Sequence, residues 1–560
     1  LKKATAALVA AEAADDLNDD AQAEPLLAAI GQTGSLDDVP SLKMALYALQ
    51  AKRTAKRGDL EMALDQYEQA IQELERLRGR LMVEYRVAFL EDKQRLYEEA
   101  VWLSLELDRP ERALRYAERA KSRALQDLLS LHLDPQVATR SPEDQPLLDR
   151  LAQLQVERDR LYRQNVTDRV DADRGSPAVE RDLPVAYQPL LVVEQAITDI
   201  WHELLRRDAD YAREAALWQL PAEPALPTLG AGTILLEYFV ARNTLIAFVV
   251  SAGRVTFKRL PVDLAELRQG LSQLQLHLRP VAGAAQPGAL LRSGQGLLRR
   301  LHDRLVLPVL AELADARALI IVPHSFLHYV PFHALFDGER YLIERYEISY
   351  LPSAGTLANL RRPGVPAAGL VALGHSYGGR LPETIAEARA VAEEWGGVAL
   401  IEEQATLAAL RPMLATAQIL HFATHGDFRA DNPLFSGLAL ADGWLTTLNI
   451  FNLRLSASLV TLSACQTGRN VVGGGDELLG LMRAFFYAGA RSLVVSQWAI
   501  EDRSTARFME AFYHKLRSGL SKGAALQQTQ RQFIDGQDGR DLAHFYHWAP
   551  FYLVGEAGTL

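Results

Sequence analysis

The sequence predicts a multi-domain fold in which an all-α region is followed by an α/β domain with a largely parallel central sheet. At 560 residues the chain is too long for one ordinary hydrophobic core. Up to about residue 132, apolar residues recur at helical spacing, and glycine and proline are sparse. After Pro227, short apolar runs alternate with helical segments, which is typical of an α/β sheet.

The composition excludes several classes of protein. A hydrophobic fraction of 49% with 23% charged residues is that of a globular chain, and no stretch of about 18 uncharged apolar residues suggests a membrane span. The formal net charge of −10 argues against direct binding of nucleic acid, because affinity for phosphates depends on clustered lysine and arginine. We therefore expect neither a nucleic acid nor a membrane as a partner.

The cysteine count bears on the compartment. A single cysteine, Cys465, excludes any intramolecular disulfide and suits the reducing cytosol, so we expect a cytoplasmic protein. The sequence starts at Leu1, without a methionine and inside a predicted helix. We therefore expect that a true N-terminus, with any targeting signal on it, has been removed.

Residues 1–132 contain a recurring pattern of small and aromatic residues. Ala63–Ala70 places alanines around Tyr67, and Ala113–Ala120 repeats the arrangement around Tyr116. This pattern resembles the tetratricopeptide repeat, a helix–turn–helix unit that stacks into a solenoid with a concave binding face. The two copies lie farther apart than the roughly 34 residues of a standard repeat, which predicts extended helices between them. A plain helical bundle is the alternative.

Residues 133–228 are predicted to form a helical connector. Asp144–Gln164 and Ala186–Ala215 are charged and periodic, and each is predicted to be a long helix. Between them, Asp168–Pro184 is rich in aspartate, arginine, proline and glycine, which indicates a loop.

Residues 229–560 are predicted to form the α/β domain. Its first strands form a meander, and later strands alternate with helices, so that chemistry is expected at the carboxyl ends of the parallel strands. The predicted strands are Thr233–Val240, Thr244–Val250, Arg254–Arg259, Ala318–Val322, Tyr346–Tyr350, Gly369–Leu373, Ile419–Ala423, Leu459–Leu462 and Ser492–Ser496.

Two of these strand ends carry reactive side chains. His425 and Gly426 follow the strand Ile419–Ala423, and Cys465 follows Leu459–Leu462. A strand, a crossover and a parallel neighbour fit the interval between them, which would place both side chains at one edge of the sheet. A thiol needs a nearby base to act as a nucleophile, and His425 can supply it. The N–H groups of Gly426 and Cys465 are candidates for stabilising an oxyanion.

A structural role is the alternative for each residue alone. A cysteine at the end of an apolar strand is more often a buried packing residue than a nucleophile, and a lone strand-end histidine deserves the same caution. The joint placement of His425 and Cys465, each followed closely by glycine, favours catalysis.

The wider motifs name a family. The ordered set resembles the CHAT domain over about 330 residues; its members are "HFATHG" at 421–426, "LVTLSACQTG" at 459–468, Ile320–Leu335, Tyr341–Tyr346, Leu351–Ser353, Ser496–Asp502 and Trp548–Phe551. CHAT domains are caspase-like modules, related to separases and gingipains, that commonly follow tetratricopeptide repeats. The resemblance implies peptide-bond hydrolysis by a Cys–His dyad, with His425 as acid and base, Cys465 as nucleophile, and neither metal nor organic cofactor.

The resemblance also suggests a specificity pocket. Trp498–Asp502 is similar to the place where separases hold an acid that pairs with an arginine before the scissile bond, although this sequence has Ala499 where separases have a further acid. An acid there would favour cleavage after arginine or lysine, with Asp502 preferred over Glu501. Capping of the helix expected near Ser504 is the alternative. Asp476 is a further candidate.

Neither the histidines at 324, 328 and 333 nor the glycines at 473–475 indicate a cofactor or metal site. His324, His328 and His333 fall in a segment expected to be a β-hairpin and turn, which argues against a metal site. Gly473–Gly475 lacks the lysine and serine or threonine of a phosphate-binding loop, so nucleotide binding is rejected.

The sequence thus leaves three functional hypotheses. The first is a regulated cysteine endopeptidase whose helical region binds a protein substrate, activator or regulator. The second is a catalytically silent scaffold in which only the helical repeats act. The third is a cysteine hydrolase of a non-peptide ester or amide.

Overall fold

An all-α part precedes an α/β part, as the sequence predicts. In the computed structural model the described residues are 2–17, 19–31, 39–78, 94–130, 145–172, 188–207, 228–281, 287–361, 367–427, 435–463, 476–498, 500 and 502–560. The helices of the first part are α1 (Lys2–Asp16), α2 (Asp20–Gly31), α3 (Pro40–Lys56), α4 (Leu60–Arg78), α5 (Gln94–Glu106), α6 (Pro110–Ser130), α7 (Gln145–Ala172) and α8 (Gln188–Arg207).

The pairs α3–α4 and α5–α6 have matching turns. Gly58 has φ 87° and Asp108 has φ 53°, so each turn passes through the left-handed region at the same place. Ala63 and Ala113 follow these turns at equal distances, and both are fully buried. The recurring small residues thus lie where the helices of each pair pack together.

The connector helices differ from the predicted ones in length. Helix α7 continues to Ala172, so Asp168–Ala172 is helical and not part of a loop as predicted. Helix α8 is described to Arg207, and the rest of the predicted helix up to Ala215 lies outside the described residues. The two helices pack on each other and on Phe435 of the α/β part.

Eleven strands of the α/β part form one sheet. The strands are β1 (Thr233–Ala241), β2 (Thr244–Ser251), β3 (Arg254–Leu260), β4 (Ala318–Val322), β5 (Glu347–Tyr350), β6 (Leu370–Gly374), β7 (Val398–Ile401), β8 (Ile419–Ala423), β12 (Leu459–Ser463), β13 (Ser492–Ser496) and β14 (Phe551–Gly555). Their order in the sheet is β3-β2-β1-β4-β5-β14-β13-β12-β8-β6-β7.

The sheet is mixed but mostly parallel. Strands β1–β3 form the predicted antiparallel meander, and β8, β12 and β13 are parallel neighbours. The sequence analysis missed β7, β14 and a separate three-stranded sheet, in which β9 (Gly426–Asp427), β10 (Gly437–Leu440) and β11 (Gly443–Thr446) are antiparallel. Apart from β14, these strands have at most four residues, too few for a clear alternating pattern.

Helices flank the large sheet. The longer ones are α9 (Leu264–Val281), α10 (Leu291–Leu305), α11 (Glu383–Trp395), α12 (Asp476–Ala488), α13 (Asp502–Arg517) and α14 (Lys522–Ile534). One-turn helices are found at Leu342–Arg345, Thr356–Leu360, Leu407–Leu410, Thr447–Phe451 and Phe545–Trp548. Within the described chain, none of the helices has the length and apolar character needed to cross a bilayer.

One hydrophobic core joins the helical part to the sheet. Tyr67, Tyr97 and Ala117 belong to the same buried cluster as residues of strands β1 and β4. Removing this shared apolar surface from water favours a fixed attachment of α3–α6 to the α/β part.

Buried polar contacts lie at the same junction. The Lys121 ammonium is 3.1 Å from the fully buried Glu237 carboxylate and donates to the carbonyl of Tyr238 at 2.6 Å. On the same helix, the Glu118 carboxylate accepts the backbone N–H groups of Ala354 and Gly355 at 2.8 and 2.6 Å. Helix α6 therefore attaches to the sheet through polar side chains that are shielded from water, and burial raises the pKa of the Glu237 carboxyl well above its ordinary value.

Candidate active site

The two predicted catalytic residues follow register partners on adjacent strands. Strands β8 and β12 are parallel, and Ala423 pairs with Ser463. His425 comes two residues after Ala423, and Cys465 comes two residues after Ser463. Parallel strands end at the same edge, so the backbone leaves both strands side by side. Cys465 itself lies outside the described residues.

A third strand ends at the same edge. Gly374 of β6 pairs with Ala423 of β8 from the other side, and the N–H of His375 donates to the Ala423 carbonyl at 3.1 Å. The loop that follows, His375–Leu381, therefore begins next to the segment that carries His425.

His425 is buried between aromatic rings. Its imidazole is stacked on the Tyr377 ring, with centroids 4.6 Å apart and planes at 23°, and Trp444 meets it edge-on at 5.8 Å. Only 9% of the residue is exposed. Burial, with a smaller contribution from the Arg380 charge, lowers the pKa of His425 from 6.5 to about 4. The ring is therefore neutral at pH 7 and able to accept a proton.

The residues on either side of His425 are held by the small sheet. Thr424 Oγ1 donates to the Ala439 carbonyl at 2.5 Å, and the Ala439 N–H donates to the His425 carbonyl at 2.8 Å. Gly426 is the next residue and pairs with Leu438. In an antiparallel ladder, positions next to a hydrogen-bonded pair turn their N–H away from the partner strand. The Gly426 N–H therefore points away from β10.

His421, the first histidine of the same run, has a structural role. It is fully buried, with Nε2 2.9 Å from Glu387 and Nδ1 3.1 Å from the Tyr513 hydroxyl. That hydroxyl donates to Thr461 Oγ1 on the neighbouring strand at 2.7 Å. This chain of polar contacts fixes β8 to β12 and so supports the edge where His425 is found.

The predicted specificity residues lie near two helix starts. Asp502 is the first residue of α13, two positions before the expected start at Ser504, and Asp476 is the first residue of α12. Glu501 lies outside the described residues. The segment that leads to Asp502 is anchored by Trp498, whose indole N–H donates to the Tyr546 carbonyl at 3.1 Å. It follows β13, which neighbours β12 in the sheet.

The histidines between β4 and β5 are not in a β-hairpin, and that prediction was wrong. Ser325–Tyr329 and Phe332–Ala334 are short 3-10 helices. His333 is hydrogen-bonded through Nδ1 to the Tyr350 hydroxyl at 2.8 Å and through Nε2 to the Ala549 carbonyl at 2.7 Å. His324 Nδ1 accepts the Val240 N–H at 3.1 Å. Both histidines thus serve packing and hydrogen bonding.

Neither Tyr377 nor Trp444 was predicted to belong to the site. Trp444 lies on β11, a strand that the sequence pattern did not reveal. Tyr377 could have been considered, because it precedes Gly378 and Gly379 just after a predicted strand. Over the described residues, histidine, cysteine, aspartate and glutamate form no group of three or more that could hold a metal ion.

A protein family model matches most of the α/β part of the chain. The CHAT domain family model matches residues 295–556. These residues are similar to the CHAT domain family. CHAT domains are a caspase-like peptidase family, and the predicted resemblance is confirmed. The match begins within α10 and ends just after β14, so it includes His425, Gly426 and Cys465.

Two curated relatives of this chain are tetratricopeptide repeat proteins. Tetratricopeptide repeat protein 28 of Mus musculus is 26% identical over 325 residues, which cover 46% of this chain and 13% of that protein. The Homo sapiens protein of the same name is 27% identical over 328 residues, with the same coverage. The chain thus spans a small fraction of the length of these relatives.

Two solved structures resemble the whole chain at low identity. Both are crystal structures of the Saccharomyces cerevisiae separase–securin complex, and both are 11% identical to this chain. The first has a TM-score of 0.43 and covers 99% of this chain and 49% of that one. The second has a TM-score of 0.41 and covers 95% and 51%.

Proposed function

We propose that the CHAT domain is a cysteine endopeptidase in which Cys465 is the nucleophile and His425 is the acid and base. The register of β8 and β12 carries this proposal, because Ala423 pairs with Ser463 and each reactive residue follows its partner by two positions. The pKa of His425, lowered to about 4, leaves a neutral base at physiological pH.

The chemistry follows from these roles. His425 takes the proton of the Cys465 thiol, and the thiolate sulfur attacks the carbonyl carbon of the peptide bond. The C–N bond breaks as His425 returns the proton to the leaving amine, and the acyl group stays on sulfur. Water then attacks the thioester with His425 as base, which releases the new carboxyl group and restores the thiol.

Gly426 is proposed to stabilise the oxyanion. Its N–H points away from β10, which leaves this donor available to the negative charge that develops on the carbonyl oxygen. The N–H of Cys465 is the proposed second donor. Two such donors would act on the tetrahedral intermediate more strongly than on the flat ground state.

The proposed substrate is a protein with arginine or lysine before the scissile bond. Asp502 follows β13, the strand next to β12, and an acid there would attract a basic side chain. Asp502 is preferred over Glu501, and Asp476 is the third candidate. No organic cofactor or metal is required by this chemistry.

The helical part is proposed to bind a protein partner, activator or substrate. We divide the chain into residues 1–132 as repeats, 133–228 as connector and 229–560 as peptidase domain. A groove of about 1330 Å³ lies between the helices and the β1–β2 turn. Apolar and charged side chains both line it, including Met44, Tyr67, Glu98, Trp102 and Arg242. Such a mixed lining suits a peptide better than a small apolar ligand.

Peptides with arginine, lysine or aspartate before a reporter group test the activity. Wild type is expected to cleave the basic peptides, and Cys465→Ala and His425→Ala are expected to lose turnover. Ser463→Ala is the matched control, because it changes a buried residue of β12 and leaves both His425 and Cys465 in the sequence. The cytosol, where a lone thiol stays reduced, is the proposed compartment.

The same assay separates the competing functions. A chain that turns over no peptide, with or without proteins co-purified from its host, contradicts the peptidase and favours the scaffold. Turnover of a thioester or ester reporter without peptide cleavage favours a non-peptide hydrolase. Because Cys465 is the only thiol, a single alkylation that abolishes turnover would confirm its role independently of mutation.

A further inference from the structure

The loop that covers His425 has an unusual backbone. Tyr377, Gly378 and Gly379 have φ angles of 54°, 72° and 79°, so three successive residues adopt the left-handed region. Glycine adopts that region freely, but a tyrosine does so at an energetic cost because its Cβ crowds the backbone. Strained bulky residues persist only where their surroundings hold them, and they cluster at functional sites.

Hydrogen bonds at the base of the loop hold this conformation. One carboxylate oxygen of Glu402 lies 3.1 Å from His375 Nδ1 and accepts the Ser376 N–H at 3.2 Å. Glu402 is itself in the left-handed region, with φ 47°. The loop is thus fastened to the end of β7 by a second residue with an unfavourable backbone.

Further bonds close the turn around Ser376. Its side-chain oxygen accepts the Gly379 N–H at 3.0 Å, and its carbonyl accepts the N–H groups of Arg380 and Leu381, each at 3.0 Å. These bonds bring the chain back on itself directly after Tyr377. The position of the Tyr377 ring is therefore set by the backbone as well as by side-chain packing.

The fastened ring lies on His425. The Tyr377 ring is parallel to the imidazole, and Arg380 lies 5.4 Å from the Tyr377 centroid. Trp444 completes the enclosure, because it meets both rings nearly perpendicularly, at 5.8 Å from His425 and 6.2 Å from Tyr377. Leu161 of the connector helix packs against the cluster of Ala439 and Trp444, as Tyr377 does. The imidazole plane is thus restrained on one face and along one edge.

We propose that Tyr377 is a positioning residue for His425, which fixes the imidazole plane for proton transfer with Cys465 and keeps water from its face. This rests on the proposed peptidase function, and it adds a residue that the motif resemblance did not supply. The unfavourable backbone angle of Tyr377 then contributes to the site, because a loop with an ordinary backbone angle at this position would place the Tyr377 ring away from the imidazole.

The charges around the ring agree with this role. Arg380 lies by the tyrosine and disfavours a second positive charge on His425, while burial by Tyr377 and Trp444 has the larger effect in the same direction. The His375–Glu402 pair lies beneath the same loop. Removal of the tyrosine ring should therefore let water reach the imidazole and raise its pKa.

Titration of His425 in the full chain tests the proposal without any substrate. Histidine ¹³Cε1 signals are followed against pH, and His425→Gln identifies the signal. Wild type is expected to titrate near pH 4, and Tyr377→Ala is expected to move toward the ordinary value of 6.5. Tyr377→Phe, which keeps the ring, is expected to restore the wild-type midpoint. Tyr377→Gly serves if the alanine variant folds poorly, because glycine accepts the backbone angle.

Kinetics supply the second readout. Tyr377→Ala should lower kcat about tenfold or more with little change in KM, because the imidazole is misplaced while the substrate site is intact. An unchanged titration midpoint together with an unchanged kcat would overturn the proposal. If Tyr377→Ala shifts the midpoint but the wild-type chain cleaves nothing, the positioning role is retained and the peptidase function is contradicted instead.

Discussion

Ala423 and Ser463 are register partners on parallel neighbouring strands, and each is followed two residues later by one member of the proposed dyad. Residues far apart in sequence are brought together by this pairing. A shift of one position would turn the side chains of one strand to the other face of the sheet. The buried contacts of His421 and Thr461 through Tyr513 hold the two strands in this register.

The pH dependence of catalysis should reflect the neutral imidazole. As the pKa of His425 is lowered to about 4, we expect kcat/KM to rise as the pH increases through about 4 and to reach its plateau well below pH 6.5. A pH–rate profile with a basic reporter peptide measures this rise in kcat/KM. In Tyr377→Ala the midpoint of the rise should move toward pH 6.5. A midpoint already near 6.5 in wild type would contradict the burial of His425.

The same burial should affect stability. The pKa of His425 is about 4 in the folded chain and near 6.5 when unfolded, so the unfolded chain binds more protons between these values. The contribution of this group is complete above pH 6.5 and falls by about 3 kcal/mol as the pH decreases to 4. Urea unfolding of wild type and His425→Gln at pH 5 and 8 should show a smaller pH effect in the variant. Equal pH effects would argue against the shift.

Removing one member of the buried pair Lys121 and Glu237 should destabilise the fold more than replacing both members with apolar residues. Lys121→Met removes the partner of the fully buried Glu237, so we expect a loss of about 3 kcal/mol in the free energy of unfolding. Lys121→Met with Glu237→Leu should recover much of that loss, because no unpaired buried carboxyl group remains. Denaturant unfolding measures both.

An exposed ion pair provides the control for that cycle. Arg304 lies 2.7 Å from Glu266, and both side chains are largely exposed. Arg304→Met should therefore cost less than about 1 kcal/mol. If Lys121→Met costs no more than Arg304→Met, the junction does not depend on its buried charges.

Backbone strain at Tyr377 predicts a difference between two small replacements. Tyr377→Ala and Tyr377→Gly both lose the ring, but only alanine retains a Cβ at φ 54°. We expect the glycine variant to be more stable than the alanine variant by about 1 kcal/mol, with equal loss of activity. Thermal unfolding measures the difference. Alanine as the more stable variant would show that no strain is stored there.

Substrate preference should depend on Asp502. Asp502→Asn is expected to reduce cleavage after arginine and lysine by at least tenfold, because the proposed charge-assisted bond to the basic side chain is lost. Cleavage after a neutral residue should change little. Glu501→Gln and Asp476→Asn serve as comparisons, and an effect confined to one of them would move the pocket to that residue. Uniform loss on all peptides would indicate a structural role at the start of α13.

Much of this protein could be predicted from local pattern. Helical periodicity identified the helices of the first part, and buried strands such as Ile419–Ala423 and Ser492–Ser496 were predicted with their observed bounds. Short strands and short helices were missed or wrong, as at β9–β11 and Ser325–Tyr329, because a few residues do not establish a period. The helical extension to Ala172 was also missed, since charged composition alone did not distinguish helix from loop.

The sequence by itself determined the order of the two parts and the strands beside the proposed reactive pair, and it supplied the prediction of that pair. Only the tertiary structure decided that Ala423 pairs with Ser463 and that Tyr377 lies on His425. The physical reason is that strand register and ring stacking arise from contacts between distant segments. Such contacts leave no periodic trace in the local sequence, whereas helices and buried strands do.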